Sequence, residues 1–254
     1  MFATERKLPL SGGAEKRRYV RDMFSAVAPT YDLINRTISF TLDRRWRRRA
    51  VDRLEWERVP AGRYLDLCAG TLDLAAELAN RRGFGGIVFG ADFSRPMLQR
   101  GRGKAGRVRP LVADALELPF RDASFDGATV GWGVRNLADL DQGLREAARV
   151  LRPGARLVIL ESSTPPRQPI RGFYLFYFRH VLPRVGRLLS RHETAYSWLP
   201  ASVAVFDSPE QLAQRMERVG FSEVRFERLL GGVCTIHVGV KAGPPRPEVP
   251  RAGA

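Results

Sequence analysis

The chain has 254 residues, 44% hydrophobic and 27% charged, an ordinary globular balance with room for one large α/β domain and additions. No apolar run approaches the ~20 residues of a membrane-spanning helix, and the polar N-terminus has no apolar signal core, so neither an integral membrane protein nor a secreted one is expected. The net charge of +15, carried mostly by arginine, points to an anionic partner, either nucleic acid or an anionic membrane surface, unless it is simply a solvated face.

Residues 14–57 read as helical: Ala14 to Val27 is amphipathic, Pro29 breaks the pattern, and a helix follows around 43–57. On that last helix Trp46, Ala50 and Leu54 share a face, which leaves the Arg44 to Arg49 run as a solvated rim. Residues 62–162 alternate strand and helix patterns. Strands are expected at 63–68, 86–91, 108–113, 125–131 and 156–161, and helices at 71–82, 94–104 and 139–151. Such alternation predicts a doubly wound, mostly parallel sheet. The Pro-punctuated, aromatic and basic stretch 165–205 reads as helices laid over the site. A helix at 208–219 and two strands, Val224 to Leu230 and Val233 to Val240, joined at Gly231-Gly232, add an antiparallel hairpin. The expected organisation is an N-terminal helical cover (1–57), an α/β domain (58–241) with the 165–205 insertion, and a disordered tail (242–254). Cys68 and Cys234 fall in strand-like segments and read as reduced core thiols of a cytoplasmic protein. No metal site is expected. His180, His192 and His237 lie outside the core motifs and read as structural, His237 on an outer strand.

Chemistry is concentrated where the first strand, Tyr64 to Leu67, runs into Gly70 and Thr71, and where the second strand ends in Asp92. Asp92 follows Gly70 by about 20 residues, the spacing of a carboxylate that binds ribose hydroxyls at the carboxyl edge of a parallel sheet. The turn is not Gly-x-Gly-x-x-Gly and no P-loop lysine follows. A nucleoside without phosphates fits it best, and S-adenosylmethionine is the commonest such cofactor. Asp66, Gly70 and Thr71 are expected to face its methionine part, Asp92 its ribose, and Asp114 and Ala115 its adenine. Asp114 also suits a helix N-cap. Phe93 packs on the adenine or belongs to the core. After the fourth strand, Arg135 and Asn136 suit a phenolate or carbonyl oxygen, or else bond a loop backbone. With Asp73 they are the candidate catalytic residues.

Several segments then match one family in order. Tyr31 to Ser39, continuing to Trp46, resembles the first signature of the menaquinone/ubiquinone biosynthesis C-methyltransferases, and Arg149 to Leu157, running to Ser163, resembles the second. Trp132-Gly133-Val134-Arg135-Asn136 is similar to the family's aromatic-Gly-x-Arg-Asn, and His180 to Pro183 and Tyr196 to Ser202 also match. The resemblance runs from about Phe24 to Lys241. It implies a class I methyltransferase fold and methyl transfer from S-adenosylmethionine to a ring carbon of a polyprenylated quinol. It also implies Tyr31 and Asn35 as substrate-binding residues and Gly131 as part of the cofactor wall. Three positions depart from the pattern: Leu72 where the turn has glycine, Asp43 where histidine is expected, and Gly131 where serine is frequent. A leucine forced to positive φ costs of order 1 kcal/mol or more.

A polyprenyl substrate resides in a bilayer. The segment Arg171 to Arg179, with Arg184, Arg187 and Arg191 after it and Leu188 and Leu189 between, reads equally as an amphipathic cover resting on anionic lipid and as a buried helix with snorkelling arginines. The first reading places the protein at the inner face of the membrane, peripherally bound. An RNA or DNA methyltransferase remains an alternative, against which stands the lack of Asn-Pro-Pro-Tyr and of an appended nucleic-acid module. So does a non-enzymatic scaffold, left if Leu72 disables cofactor binding. A homo-oligomer and a quinone-synthesis complex both stay open.

Overall fold

A computed structural model describes residues 8–181 and 193–243. Seven strands form one sheet: β1 (Arg63–Leu67), β2 (Ile87–Asp92), β3 (Val108–Val112), β4 (Phe125–Gly131), β5 (Leu151–Ser162), β6 (Phe221–Leu229) and β7 (Cys234–Lys241). Their order is β3-β2-β1-β4-β5-β7-β6. The first five pair in parallel, and β7 runs antiparallel to both neighbours, β5 and β6. The expected doubly wound sheet with a C-terminal hairpin is therefore present. β1 lies inside it, between β2 and β4, and is buried along Tyr64 to Leu67, which is why it reads as a near-continuous apolar run rather than an alternating one.

Nine helices accompany the sheet among the described residues: α1 (Gly13–Val27), α2 (Tyr31–Ile38), α3 (Leu42–Arg53), α4 (Asp73–Ala79), α5 (Arg95–Gly101), α6 (Leu140–Val150), α7 (Ile170–Phe176), α8 (Glu193–Val205) and α9 (Pro209–Arg218). One apolar cluster joins α3, α4 and α5 to one face of the sheet, and a second joins α6 and α9 to the other. Local signals explain several boundaries. Asp139 caps α6 by accepting from the Gln142 N–H, and Ser208 with Gln211 forms a capping box on α9.

Four differences from the sequence reading have simple causes. α3 ends at Arg53 because Glu55 turns left-handed, and a short 3₁₀ turn at Trp56–Arg58 finishes the segment. β5 begins at Leu151, earlier than the Pro153-Gly154 pair suggests, because Leu151 pairs with Phe125 across a register shift. His237 is not on an outer strand: β7 lies between β5 and β6, and the ring is fully buried against Phe226, which depresses its pKa to about 4 through desolvation. Arg47 is not part of a solvated rim. It is buried, bonded to Asp43 one turn earlier and stacked over Trp132.

Residues 165–205 contain α7, a π-helical turn at Tyr177–Val181, and α8. Arg184, Leu188, Leu189, Arg187 and Arg191 lie outside the described residues, as does the tail from 244 onward. No described helix is long and apolar enough to cross a membrane.

Candidate active site

The carboxyl ends of β1, β2 and β4 open into a cleft roofed by Arg17, Val20 and Phe24 of α1 and by Tyr31 of α2. Asp92 forms part of its wall. One carboxylate oxygen accepts from the Gly70 N–H at 2.9 Å and the other from the Ser94 N–H at 2.8 Å. Each oxygen keeps a lone pair for a further donor. Burial pushes this carboxyl up to about 6, against the pull of those two N–H groups. Gly70 adopts φ +52°, and a Cβ there would come within 3.3 Å of Met97, so the backbone forms the floor at that point. Phe93, Asp114, Ala115 and Gly131 line the same cleft. Asp114 does not cap a helix; it accepts from the Leu116 N–H in a tight turn and pairs with Arg17 above it.

Two residues expected at this cleft do not line it. Asp66 is 1% exposed, accepts from Thr129 Oγ1 at 2.8 Å and from the Ala75 N–H at 3.0 Å, and so ties β1 to β4 and to the first turn of α4. Burial raises its carboxyl to about 7. Thr71 is buried and donates to Asp32 of α2 at 2.5 Å. Strand alternation and the tight turn direct both side chains away from the cavity.

Leu72 takes the left-handed conformation, φ 64°, yet its side chain is 1% exposed and lies within the core. A Cβ on Gly90 would stand 2.3 Å from Leu72 Cδ2, and one on Gly101 would stand 2.8 Å from Leu72 Cγ. Those two glycines leave the space the leucine fills, and Leu72 does not touch the cleft.

Phe24, Tyr31 and Trp132 line both this cleft and a second, larger pocket whose wall is mostly apolar. Asn35, Asp43, Arg47, Arg135 and Ser162 bring polar groups to it. Tyr31 is hydrogen-bonded to Asn35, and burial raises its phenol pKa, so it stays protonated. Arg135 is buried; its Nη1 donates to Glu161 at 2.6 Å and to the Trp132 carbonyl at 2.8 Å. Asn136 donates to the same carbonyl at 3.1 Å and accepts from Trp198 Nε1 at 2.8 Å. Both side chains thus brace the 132–136 loop, and Asn136 faces the first cleft rather than the second. Asp73 lines neither cavity: it bonds Lys104 at 2.5 Å and Arg47 at 3.2 Å.

A continuous polar chain results. Ser39 and Arg47 meet at Asp43, Arg47 and Lys104 meet at Asp73, and Lys104 and Thr71 meet at Asp32. Sequence reading missed Glu161, Lys104 and Arg47 as participants. Only Arg47 carried a local signal, its i,i+4 relation to Asp43. Among the described residues no cluster of three or more His, Cys, Asp or Glu could hold a metal ion.

The model of the ubiE/COQ5 methyltransferase family matches residues 13–241. A demethylmenaquinone methyltransferase of Thermus thermophilus is 51% identical over 85% of this chain and 99% of its own length. A ubiquinone/menaquinone biosynthesis C-methyltransferase, UbiE, of Geobacter sulfurreducens is 42% identical over 93% and 94%. Among solved structures, a SAM-dependent methyltransferase of Thermotoga maritima shares the fold with a TM-score of 0.61 at 21% identity, covering 87% of this chain and 99% of that one.

Proposed function

Because the chain belongs to the ubiE/COQ5 methyltransferase family, we propose that it methylates a ring carbon of a polyprenylated quinol, with S-adenosylmethionine as donor, in menaquinone or ubiquinone biosynthesis. The observation that carries this reading is the junction of the two cavities. A cleft with a ribose-type carboxylate and a mostly apolar pocket share Phe24, Tyr31 and Trp132 in their walls, so that a ring in the second would lie next to a cofactor in the first. The 51% identical relative favours the naphthoquinol.

The cofactor's sulfonium, when bound, supplies an electrophilic methyl group. Asp92 would accept the two ribose hydroxyls, Phe93 would pack beside the adenine, Asp114 and Ala115 would meet its edge, and Gly70 and Gly131 would let the backbone approach. The acceptor ring enters through the apolar pocket, where Tyr31 and Asn35 contact it. A quinol carbon is weakly nucleophilic until a neighbouring hydroxyl loses its proton. Arg135 then stabilises the phenolate oxygen, in surroundings dry enough for its charge to act strongly. The ring carbon would take the methyl as the sulfur–methyl bond breaks, leaving the cofactor as a neutral thioether, and would then lose its own proton to water, restoring aromaticity. Asn136 holds the loop that carries Arg135. Asp73 is a positioning residue that acts through Arg47, which lines the pocket. Arg135→Ala is a poor probe of this scheme. It would strand the buried Glu161 carboxylate at a cost of about 3–5 kcal/mol, so Arg135→Lys is preferable.

The pocket's surroundings support docking to an anionic membrane. Phe40, Ile170, Phe173 and Leu230 line the pocket and are also solvent-exposed, Phe40 and Phe173 at 74% and 73%. We place the protein in the cytoplasm, reversibly bound to the inner leaflet, with the apolar residues around the pocket admitting the prenyl tail. The test of the reaction is incubation with S-adenosylmethionine and each demethylated quinol, followed by mass spectrometry. A product heavier by one methylene is expected, and no product with either quinol would defeat the reading.

A further inference from the structure

Tyr174 is 7% exposed and lines the apolar pocket, and its hydroxyl is buried without a hydrogen-bond partner among the described residues. Its ring is held in place, stacked on Phe178 with centroids 4.2 Å apart. An unmade hydrogen bond of this kind is destabilising, and phenylalanine would fill the same space without that cost. The wall around it is apolar apart from a few groups, of which Arg135, with its buried partner Glu161, acts electrostatically on the Tyr174 hydroxyl.

Resting on the quinol reading above, we infer that the Tyr174 hydroxyl is a substrate-binding and specificity-determining donor, hydrogen-bonding an oxygen of the aromatic ring bound in this pocket. Desolvation raises its pKa far above the ordinary phenol value, so it remains a donor throughout the working pH range. A ring held by its oxygens is distinguished from one lacking an oxygen, because the buried hydroxyl then stays unpaired. The prenyl chain needs no such partner and is accommodated by the rest of the pocket.

The experiment compares wild type with Tyr174→Phe. The substrates are a short-tailed 2-prenyl-1,4-naphthoquinol and the two mono-ols that each lack one ring oxygen. For the quinol, Tyr174→Phe should lower kcat/KM by about ten- to hundredfold. Affinity for S-adenosylmethionine should stay within twofold, and the melting temperature of the free protein should not fall. The stabilisation of the protein by added quinol should shrink. With one of the mono-ols the two proteins should perform alike, because the oxygen that Tyr174 bonds is already missing. Equal kcat/KM for the quinol would overturn the inference, as would an equal loss on all three substrates or a Tyr174→Phe variant that fails to fold. Failure of wild type to bind or methylate either demethylated quinol would overturn the functional reading, and this inference with it.

Discussion

Asp92 shows what burial does to a carboxylate at a strand end. The strand end suggests an exposed carboxylate, but the group is 7% exposed and holds two backbone N–H groups. Its raised pKa of about 6 means that the folded chain binds this proton more tightly than the unfolded one. The group therefore costs stability above pH 6, and the cost fades as pH falls toward the ordinary carboxylate range. Ribose hydroxyls favour the ionised form, so cofactor affinity should run the other way. Calorimetry should show binding to wild type weakening about tenfold per pH unit below 6, and Asp92→Ala should bind weakly with no such slope. Leu72 was legible only as a departure. Its left-handed backbone costs about 1–2 kcal/mol. Emptying a buried leucine site costs about 3–5 kcal/mol, so the packing term wins. Leu72→Gly should melt several degrees lower, while its affinity for S-adenosylmethionine stays within a fewfold, since the side chain does not reach the cleft. Unchanged melting would show that the core collapses around the smaller residue.

At the scale of elements, the strands were legible because runs such as Tyr64 to Leu67 and Ile87 to Phe89 are apolar and bounded by turns. α2 was not resolved as a separate element, because Pro29 obscures its start and its eight residues give only two turns of periodicity. What holds α2 in place is not readable from its own sequence. Asp32 accepts from Thr71 in the cofactor turn and, at 2.8 Å, from Lys104 beyond α5, whose ammonium also meets Asp73 at the start of α4. Burial opposes the charge on Asp32, yet Lys104 and Thr71 hold its pKa below the ordinary value. Lys104→Met should release α2 from the turn. Two carboxylates would then face each other without a shared cation, and the melting temperature should drop by about 3–6 °C. Both cofactor affinity and quinol KM should worsen, because α2 lines both cavities through Tyr31. Lys104→Arg should recover most of each loss, and a Lys104→Met variant with normal binding constants would show that α2 is held by packing alone.

At the scale of the molecule, charge and exposed apolar residues act together. Each arginine near an anionic surface contributes about 1 kcal/mol, screened beyond a Debye length of ~8 Å at physiological salt. Phe40, Phe173 and Phe176 add insertion that salt does not screen. Co-sedimentation with anionic vesicles should be strong at low salt and partly retained at high salt, and Phe173→Ser with Phe176→Ser should remove most of the retained part, leaving what Phe40 supplies. A wild-type chain left in the supernatant at low salt would end the membrane proposal. By itself the sequence determined the parallel sheet, the carboxylate at the end of the second strand, the missing glycine and the family resemblance, because these depend on periodicity, turn chemistry and short motifs. The tertiary structure alone decided which charges meet. Arg135 pairs with Glu161 across 26 positions, and Lys104 meets Asp32 across 72. It also decided that Asp66 and Thr71 turn away from the cleft, that one arginine of a basic run is buried, and that Tyr174 lines the apolar pocket with its hydroxyl buried and unpaired among the described residues. Local pattern specifies a residue's own element and face, whereas a side chain's partners come from whichever distant strand or helix the packing brings beside it.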